Sequence, residues 1–381
     1  MKIESKLPNV GTTIFTVMSA LAEQHKALNL SQGFPNFDTP EPLKNLVNHY
    51  MQAGKNQYAP MAGLLALRQR LAQKMEKMYG CDVDPTEEIT ITVGGSQAIF
   101  TAIMAFVKAG DEVILIEPCY DSYAPSIEIC GGKVIPYRLE APDFKIDWDV
   151  FSKLITDKTR MIVINTPHNP TGKTLKINDL QNLEKITEGS DILIMSDEVY
   201  EHLIFDGQRH ESILRYPNLW KRSMAVFSFG KTFHATGWKM GYLVAPAHLM
   251  REFRKVHQFN VFSVNTPMQY AIADYLADEN TYLSLPNFYQ AKRDLFLNEM
   301  RNSRFVPLSS EGTYFQLFDY QHISDEMDVD FCKRLTIEHG VATIPISVFY
   351  GNGASNAKIV RLCFAKTEDT LKQAAEKLNR I

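Results

Sequence analysis

Short apolar runs recur through the middle of the chain, and each is followed by residues typical of turns. Segments with helical periodicity, such as Ala98–Val107 and Leu175–Ile186, lie between several of these runs. Strands that alternate with helices in this way predict an α/β fold, with a mostly parallel sheet covered by helices on both faces. The predicted strands are Ile89–Val93, Val113–Ile116, Met161–Ile164, Ile192–Met195, Met224–Phe227 and Tyr242–Ala245.

The two ends of the chain are less regular than the middle. A helix is predicted over Phe15–Ala27, and a long helix near Asn287–Asn302 connects the middle of the chain to its last part. Beyond that helix we predict strands at Gly312–Leu317 and Lys358–Phe364, and helices at Asp328–His339 and Thr367–Arg380. These segments predict a smaller α+β domain made of residues 1–44 and 286–381, beside a large domain of residues 45–285.

Composition and charge exclude several classes of function. Of the 381 residues, 45% are hydrophobic, and 40 Lys and Arg against 44 Asp and Glu give a formal net charge of −4. The sequence has no basic stripe and no apolar run of membrane-spanning length, so we expect neither a nucleic-acid nor a membrane partner. The first ten residues lack the apolar segment of a signal peptide. The five cysteines have no metal-ligand spacing, which favours a cytoplasmic protein without a metal site.

Four polar motifs follow predicted strands. They are Gly94–Gln97, Asn165–Gly172, Ser196–Tyr200 and Ser228–Thr232. Because ligands of parallel α/β sheets bind at the carboxyl ends of the strands, four such motifs indicate one site. The first motif is a glycine turn that opens a helix, an arrangement that presents backbone N–H groups to a phosphate. A Walker P-loop is excluded, because its first glycine would fall at Ala225.

Together these motifs resemble those of the class I aminotransferases, which are pyridoxal-phosphate (PLP) enzymes of fold type I. The resemblance rests on Asn169–Gly172, Ser196–Tyr200, Ser228–Thr232 and Gly237–Gly241, and Asn29–Pro35, Asn56–Pro60 and Arg361–Phe364 extend it over the whole chain. Ser31–Pro35 and Gly230–Lys239 are similar to the kynurenine and glutamine aminotransferase subgroup, and Phe262–Pro267 and Ile344–Phe349 fit bacterial methionine aminotransferases. The resemblance implies a seven-stranded sheet in the large domain, PLP as the cofactor and a homodimer with shared active sites.

The resemblance also implies roles for individual residues. Lys231 matches the lysine that forms a Schiff base with PLP and then moves a proton; without the other motifs, a solvated charge at a strand end is the favoured interpretation. Asp197 matches the partner of the pyridine nitrogen, and its plainer reading is a helix cap. Tyr200 and Asn169 match the groups that hydrogen-bond the phenolic oxygen of the cofactor.

The remaining implied contacts divide between cofactor and substrate. Gly95, Ser96, Gln97, Ser228 and Lys239 match the phosphate site, Tyr58 matches a tyrosine that reaches the phosphate of the neighbouring subunit, and Tyr120 matches the ring that stacks on the pyridine. Arg361 would bind the substrate α-carboxylate through two parallel hydrogen bonds, supported by Gly33 and Asn169. Phe15 and Phe349, with Ile14, Tyr58 and Tyr120, predict an apolar pocket that suits methionine or aromatic side chains.

The implied reaction is a ping-pong transfer of the amino group of methionine, or of another apolar amino acid, to a 2-oxo acid. Kynurenine or glutamine transamination and β-elimination from cysteine conjugates are alternatives on the same scaffold. A non-enzymatic, aminotransferase-like regulator is a more distant alternative. It would need a DNA-binding domain, and only about 30 residues precede the Ser31–Pro35 motif, without a helix-turn-helix pattern.

Overall fold

The computed structural model describes residues 3–351 and 357–381. The strands, in chain order, are β1 (Leu28–Asn29), β2 (Ile89–Thr92), β3 (Glu112–Glu117), β4 (Lys133–Arg138), β5 (Thr159–Asn165), β6 (Leu193–Asp197), β7 (Ser223–Ser228), β8 (Gly241–Val244), β9 (Val306–Pro307), β10 (Phe315–Asp319), β11 (Val341–Ala342), β12 (Ile344–Pro345) and β13 (Ile359–Cys363). The α-helices are α1 (Ile14–Gln24), α2 (Glu41–Gln52), α3 (Leu65–Tyr79), α4 (Gly94–Phe106), α5 (Tyr123–Ile129), α6 (Trp148–Ser152), α7 (Ile177–Thr187), α8 (Pro217–Trp220), α9 (Phe229–Thr232), α10 (Ala247–Asn260), α11 (Thr266–Tyr275), α12 (Asn280–Leu283), α13 (Leu285–Glu299), α14 (Asp328–Glu338) and α15 (Glu368–Leu378). Short 3-10 turns lie at Ile213–Arg215, Thr236–Trp238 and Ser347–Phe349.

The central sheet is mostly parallel. Within the described residues it has seven strands in the order β2-β8-β7-β6-β5-β3-β4. Strand β8 runs antiparallel to its neighbours β2 and β7, and the other pairs are parallel. The predicted α/β fold with a mostly parallel seven-stranded sheet is therefore confirmed.

The edge strand β4 has no counterpart among the predicted strands. Of its six residues, only Tyr137 is buried, and Pro136 interrupts the apolar pattern. Proline cannot donate a ladder hydrogen bond, so it is tolerated at the edge of a sheet and not in its centre. An edge position therefore accounts both for the weak sequence signal and for the proline.

Helices cover both faces of the central sheet. Val113, Leu115 and Met161 pack into one apolar core with α4, α5 and α10. Ile114 and Ile162, their neighbours in sequence, point to the opposite core, to which α3, α7 and α11 contribute. This two-residue alternation between two buried faces explains why the central strands appear in the sequence as continuous apolar runs.

Elements from the two ends of the chain come together in a second unit. Strands β12-β13-β10-β9 form an antiparallel sheet, and β1 pairs in parallel with β11. Helix α1 packs against α14. The division at residues 45 and 285 stays a prediction; residue 45 itself lies within α2, a helix that packs against α11.

Strand β10 begins later than the sequence predicts. The predicted strand starts at Gly312, whereas β10 starts at Phe315. Thr313 has φ +68°, in the left-handed region, so the backbone turns before the strand begins. The turn matters for the site, because it directs Tyr314 toward Lys231, as described below.

A buried ion pair supports the segment that follows β6. The Lys74 Nζ of α3 lies 2.5 Å from Glu201 Oε1 and donates to the Tyr242 hydroxyl at 3.0 Å. Tyr79 donates its hydroxyl hydrogen to the other oxygen of Glu201. Burial alone would raise the pKa of the Glu201 carboxyl, but the Lys74 charge and the hydrogen bonds lower it to about 2. The pair therefore anchors the chain just beyond Tyr200.

Replacing Lys74 by methionine should destabilise the fold strongly. The Lys74→Met variant leaves the Glu201 carboxylate buried without its counter-charge, and we expect a loss of about 3–5 kcal/mol in the free energy of unfolding by urea. Because the pKa of Glu201 lies below the ordinary value of 4.5, the wild-type contribution is complete above that pH and disappears as the pH falls toward about 2.

The matched control is Lys255→Met on α10. Its exposed pair with Glu252 spans 2.7 Å, and exposed pairs of this kind contribute about 1 kcal/mol or less. Equal losses in the two variants would contradict the anchoring role of Lys74.

Candidate active site

A cavity of about 310 Å³ lies at the carboxyl ends of β5, β6 and β7, next to the start of α4. Most of the predicted site residues line it, although they are far apart in the sequence. They are Phe15, Gly33, Gly95, Ser96, Tyr120, Asn169, Asp197, Tyr200, Ser228, Lys231, Lys239 and Arg361. The structure thus brings the four strand-end motifs to one place, as the topology of a parallel sheet requires.

Lys231 lies on the one-turn helix α9, directly after β7. Its Nζ donates to the Tyr314 hydroxyl at 2.7 Å and to the Gly33 carbonyl oxygen at 3.2 Å. Burial lowers the pKa of the Lys231 amine to about 8, because the charged form loses hydration. The positive charge of Arg361 adds to this lowering. A neutral amine, able to act as nucleophile or base, is therefore accessible near neutral pH.

Asp197 is the last residue of β6 and is 4% exposed. Its Oδ2 accepts from the Tyr123 hydroxyl at 2.6 Å, and its Oδ1 accepts from the Val199 N–H at 3.2 Å. Burial raises the pKa of this carboxyl to about 6. A carboxylate held in this way is suited to stabilise a cationic group that enters the cavity.

Arg361 is 1% exposed and lies on β13 in the second sheet. Its guanidinium donates to Asn169 Oδ1 at 2.7 Å and to the Ser31 carbonyl oxygen at 3.2 Å. Its Nε has no hydrogen-bond partner among the described residues. Burial lowers the pKa of Arg361 to about 10, so the group remains cationic. A buried cation with a free donor is a site for an anion such as a carboxylate.

Aromatic rings surround this cation. The Arg361 guanidinium carbon lies 3.8 Å from the ring centroid of Phe315, 4.9 Å from that of Phe349 and 5.4 Å from that of Phe15. Phe15 and Phe349 also contact each other edge to face at 5.9 Å. The rings hold the guanidinium in place and give this side of the cavity an apolar wall.

The start of α4 provides a polar corner. Gly94 has φ +72°, which favours glycine, and the Nζ of Lys239 lies beside its backbone, 3.5 Å from where a Cβ would be. The hydroxyls of Ser96 and Tyr120 lie 3.3 Å apart. Free N–H groups at a helix start, a hydroxyl and a lysine together suit a phosphate.

Four residues of the predicted site and its apolar pocket do not line the cavity, and Ile14 of α1 is one of them. Gln97 turns its side chain back to the Val93 N–H and the Thr101 hydroxyl, so only its backbone remains at the helix start. Phe349 lies outside the lining of the cavity, where its ring contacts the guanidinium of Arg361. Tyr58 is 81% exposed on the surface of its own chain.

Two tyrosines in the site had no strong sequence signal. Tyr123 donates to Asp197, and Tyr314 accepts from Lys231. Tyr123 is the first residue of α5, and its N–H donates to the Tyr120 carbonyl oxygen at 3.2 Å, so a turn that begins at Tyr120 is the signal that could have indicated it. Tyr314 belongs to a predicted strand, but only the backbone turn at Thr313 brings it to the site.

With this geometry established, comparison with known proteins places the chain in a family. The profile of aminotransferase class I and II matches residues 25–378. The chain belongs to this family, as the motifs predict. PLP is the cofactor of the family, and the chain is accordingly a PLP-dependent aminotransferase.

Several individual members of the family are similar to this chain over nearly their whole length. The methionine aminotransferase of Escherichia coli (strain K12) is 52% identical over 99% of this chain and 98% of its own length. A crystal structure from Escherichia coli, for which a methionine aminotransferase function was identified, superposes with a TM-score of 0.98 over the whole of both chains. N-succinyldiaminopimelate aminotransferase from Mycobacterium tuberculosis gives a TM-score of 0.95 at 35% identity over the whole of both chains. Human kynurenine–oxoglutarate transaminase 1 is 32% identical over 94% of this chain and 93% of its own.

The donor set of the cavity fits PLP. Lys231 offers an amine for the aldehyde, and Asp197 offers a buried carboxylate for the pyridine nitrogen. The polar corner at Gly94, Ser96 and Lys239 offers N–H, hydroxyl and ammonium groups for the phosphate. Within the described residues there is no cluster that would hold a metal ion, and no helix is long and apolar enough to cross a membrane.

The pH dependence of PLP attachment tests the lowered pKa of Lys231. Only the neutral amine attacks an aldehyde, so the attachment rate should rise with pH and level off above about 8. The rate can be followed by absorbance after mixing apoprotein with PLP over a pH series. N-acetyl-lysine amide is the control, because its ordinary amine continues to gain reactivity toward pH 10.5. A protein profile that follows the control would contradict the lowered pKa.

Proposed function

We propose that this chain transfers the amino group of methionine, and of aromatic or other apolar amino acids, to a 2-oxo acid. The observation that carries the proposal is the buried Arg361 with a free Nε, surrounded by aromatic rings at the cavity wall. An α-amino acid with an apolar side chain matches this arrangement in both its charge and its apolar part. The 52% identity to a methionine aminotransferase supports the same substrate.

We assign the binding of the substrate α-carboxylate to Arg361. The carboxylate would accept from the guanidinium in place of Asn169, whose amide oxygen now takes the 2.7 Å bond. The backbone of Gly33 lies at the same end of the cavity, beside Lys231. Fixing the carboxylate between these groups directs the α-hydrogen toward the lysine amine, which is the orientation that amino transfer requires.

Lys231 acts as the base that moves the α-proton. Its lowered pKa makes the neutral form available, and its hydrogen bonds to Tyr314 and Gly33 hold the nitrogen at the cavity. Bound PLP supplies an electron sink for the negative charge that develops at the α-carbon. Asp197, oriented by Tyr123, keeps the pyridine nitrogen protonated, and Tyr200 with Asn169 serves the phenolic oxygen.

The side-chain pocket is apolar on the part nearest Arg361. Phe15 and Phe315 line it, and Phe349 supports them. Among the described residues that line the cavity, Arg361 is the only arginine, so a side-chain carboxylate such as that of aspartate would lack a guanidinium partner. We therefore place methionine, phenylalanine and tyrosine above aspartate as amino donors.

Kynurenine or glutamine transamination and β-elimination from cysteine conjugates remain the second candidates. The 32% identity to human kynurenine–oxoglutarate transaminase 1 favours the first of these. All of these substrates share an α-amino acid head, so Arg361 and Lys231 would serve each of them alike. Turnover rates measured side by side separate them.

A cytoplasmic location completes the proposal. The five cysteines are free, and four of them are buried, which suits a reducing compartment.

The absorbance spectrum of the PLP-loaded protein tests the substrate. Adding L-methionine without an oxo acid should shift the visible cofactor band to the shorter-wavelength form that carries the amino group, and L-aspartate should leave the band nearly unchanged. Lys231→Ala should abolish this conversion, because the base is lost, and the exposed Lys255→Ala should behave as wild type. If methionine leaves the band unchanged but kynurenine shifts it, the result would favour kynurenine transamination. A wild-type protein that never acquires a band would overturn the enzymatic proposal.

We further propose that the enzyme is a homodimer whose partner supplies Tyr58 to the phosphate corner. Tyr58 packs edge to face on Phe262, which is 45% exposed, and Phe259 nearby is 91% exposed. Exposed aromatic side chains of this size are typical of a surface that a second copy covers. Tyr58 has no place in the cavity of its own chain, so a second copy would give it one.

Mixing two inactive variants tests the shared site. If Tyr58 serves the neighbouring subunit, a hybrid of Tyr58→Ala and Lys231→Ala subunits contains one site with both residues intact. Activity should therefore rise when the two variants are unfolded together and refolded as a mixture. Each variant refolded alone is the control. No gain in a mixture that forms dimers would show that Tyr58 does not act across the interface.

A further inference from the structure

Tyr314 is a fully buried phenol that contacts the Lys231 amine and lies outside the residues assigned above to cofactor and substrate. Its hydroxyl donates to the carbonyl oxygen of Gly33, so toward Lys231 it can act only as an acceptor. Burial raises the pKa of the Tyr314 hydroxyl well above its ordinary value of 10.0, so the phenol oxygen keeps its proton. The Lys231 Nζ donates to both of these oxygens, at 2.7 Å to Tyr314 and at 3.2 Å to Gly33.

The number of hydrogens on the Lys231 nitrogen determines what these two contacts do to the amine. An ammonium group has three N–H bonds, and a neutral amine has two and one lone pair. Because Tyr314 donates to Gly33, the two acceptor oxygens lie on the same side of Nζ, and the N–H bonds of Lys231 that they accept point to that side. The other side of the nitrogen is left for the third N–H of the ammonium or for the lone pair of the amine. Lys231 lines the cavity, whereas Tyr314 does not, so we infer that substrate approaches the nitrogen from the side opposite Tyr314.

We propose that Tyr314 is a positioning residue for Lys231: with the Gly33 carbonyl it holds the N–H side of the neutral amine away from the cavity and leaves the nitrogen lone pair facing the cavity. The inference deepens the role proposed for Lys231 and rests on it. It applies whenever the lysine amine is free, which is when it must act as nucleophile or base.

The surroundings make Tyr314 a rigid support. Its ring packs edge to face on Tyr200 at 5.1 Å and on Phe315 at 4.9 Å. Tyr289 packs on it at 6.0 Å. The Gly33 carbonyl is held by its hydrogen bond from Tyr314, and Gly33 packs closely on Phe315, whose Cζ would lie 2.8 Å from a Cβ at this position. Neither acceptor can move far, so the direction of the lone pair is set before any ligand binds.

The test compares Tyr314→Phe with the matched control Tyr289→Phe. Tyr289 belongs to the same buried cluster, but its hydroxyl pairs with His234 Nδ1 at 2.9 Å and does not contact Lys231. The first readout is the rate at which apoprotein attaches PLP, with borohydride trapping and peptide mass to show that Lys231 carries the cofactor. We expect Tyr314→Phe to be roughly ten-fold slower, on the scale of one lost hydrogen bond, and Tyr289→Phe to match wild type.

Two further readouts separate positioning from a general loss of packing. The midpoint of the pH profile of attachment should move to lower pH in Tyr314→Phe, because the ammonium loses an acceptor that stabilises it more than it stabilises the neutral amine. In the loaded enzyme, kcat with methionine should fall while KM stays near the wild-type value, because the contacts of Arg361 are intact. Circular dichroism checks that the variants are folded.

Several outcomes would overturn the inference. One is a Tyr314→Phe variant with the wild-type rate and pH midpoint; another is a Tyr289→Phe control with the same losses. If Tyr314→Phe does not fold, 3-fluorotyrosine at position 314 preserves the shape and weakens the oxygen as an acceptor, so an unchanged attachment rate would also overturn it. A wild-type protein that attaches no PLP refutes the proposed function instead, and the two failures are therefore distinguishable.

Discussion

The hydrogen bond between Arg361 and Asn169 joins the two parts of the molecule at the point where the chemistry occurs. Arg361 belongs to the antiparallel sheet built near the end of the chain, and Asn169 belongs to the loop that follows β5 of the central sheet. A buried guanidinium is tolerated only when acceptors and rings surround it, and here Ser31, Asn169 and Phe315 meet that need. Keeping this cation buried thus requires both sheets and the segment after β1 to be in place.

Burial also sets the protonation of the two groups assigned to the cofactor. It lowers the pKa of Lys231 to about 8 and raises that of Asp197 to about 6, so both values move toward neutrality. The same enclosure therefore favours a free amine in one group and a proton on the other. A cationic ring nitrogen beside Asp197 would restore its negative charge, which makes the carboxylate responsive to what enters the cavity.

Local patterns predicted the central sheet and the strand-end motifs at the cavity, whereas Gly33, Lys239 and Arg361 were identified through the resemblance to class I aminotransferases. Apolar runs mark buried strands, and polar motifs at their ends converge by topology. The edge strand β4 was not predicted, because it is largely exposed and contains Pro136. The place of Tyr314 in the site was not predicted, because the direction of its side chain depends on a backbone turn at Thr313, which has φ +68°. Tyr58 was singled out by resemblance, and its exposed position in one chain has meaning only if a second copy is present.

The sequence distances across the Arg361 site constrain the order in which the protein can mature. Arg361 meets Asn169 across 192 positions and Ser31 across 330. During synthesis, chains emerge from the N-terminus onward, and early segments fold first. The central sheet can thus be complete before Arg361, the common hydrogen-bond partner of Ser31 and Asn169, has been synthesised. A nascent chain that has emerged only as far as the central sheet therefore lacks Arg361, the group to which we assign carboxylate binding.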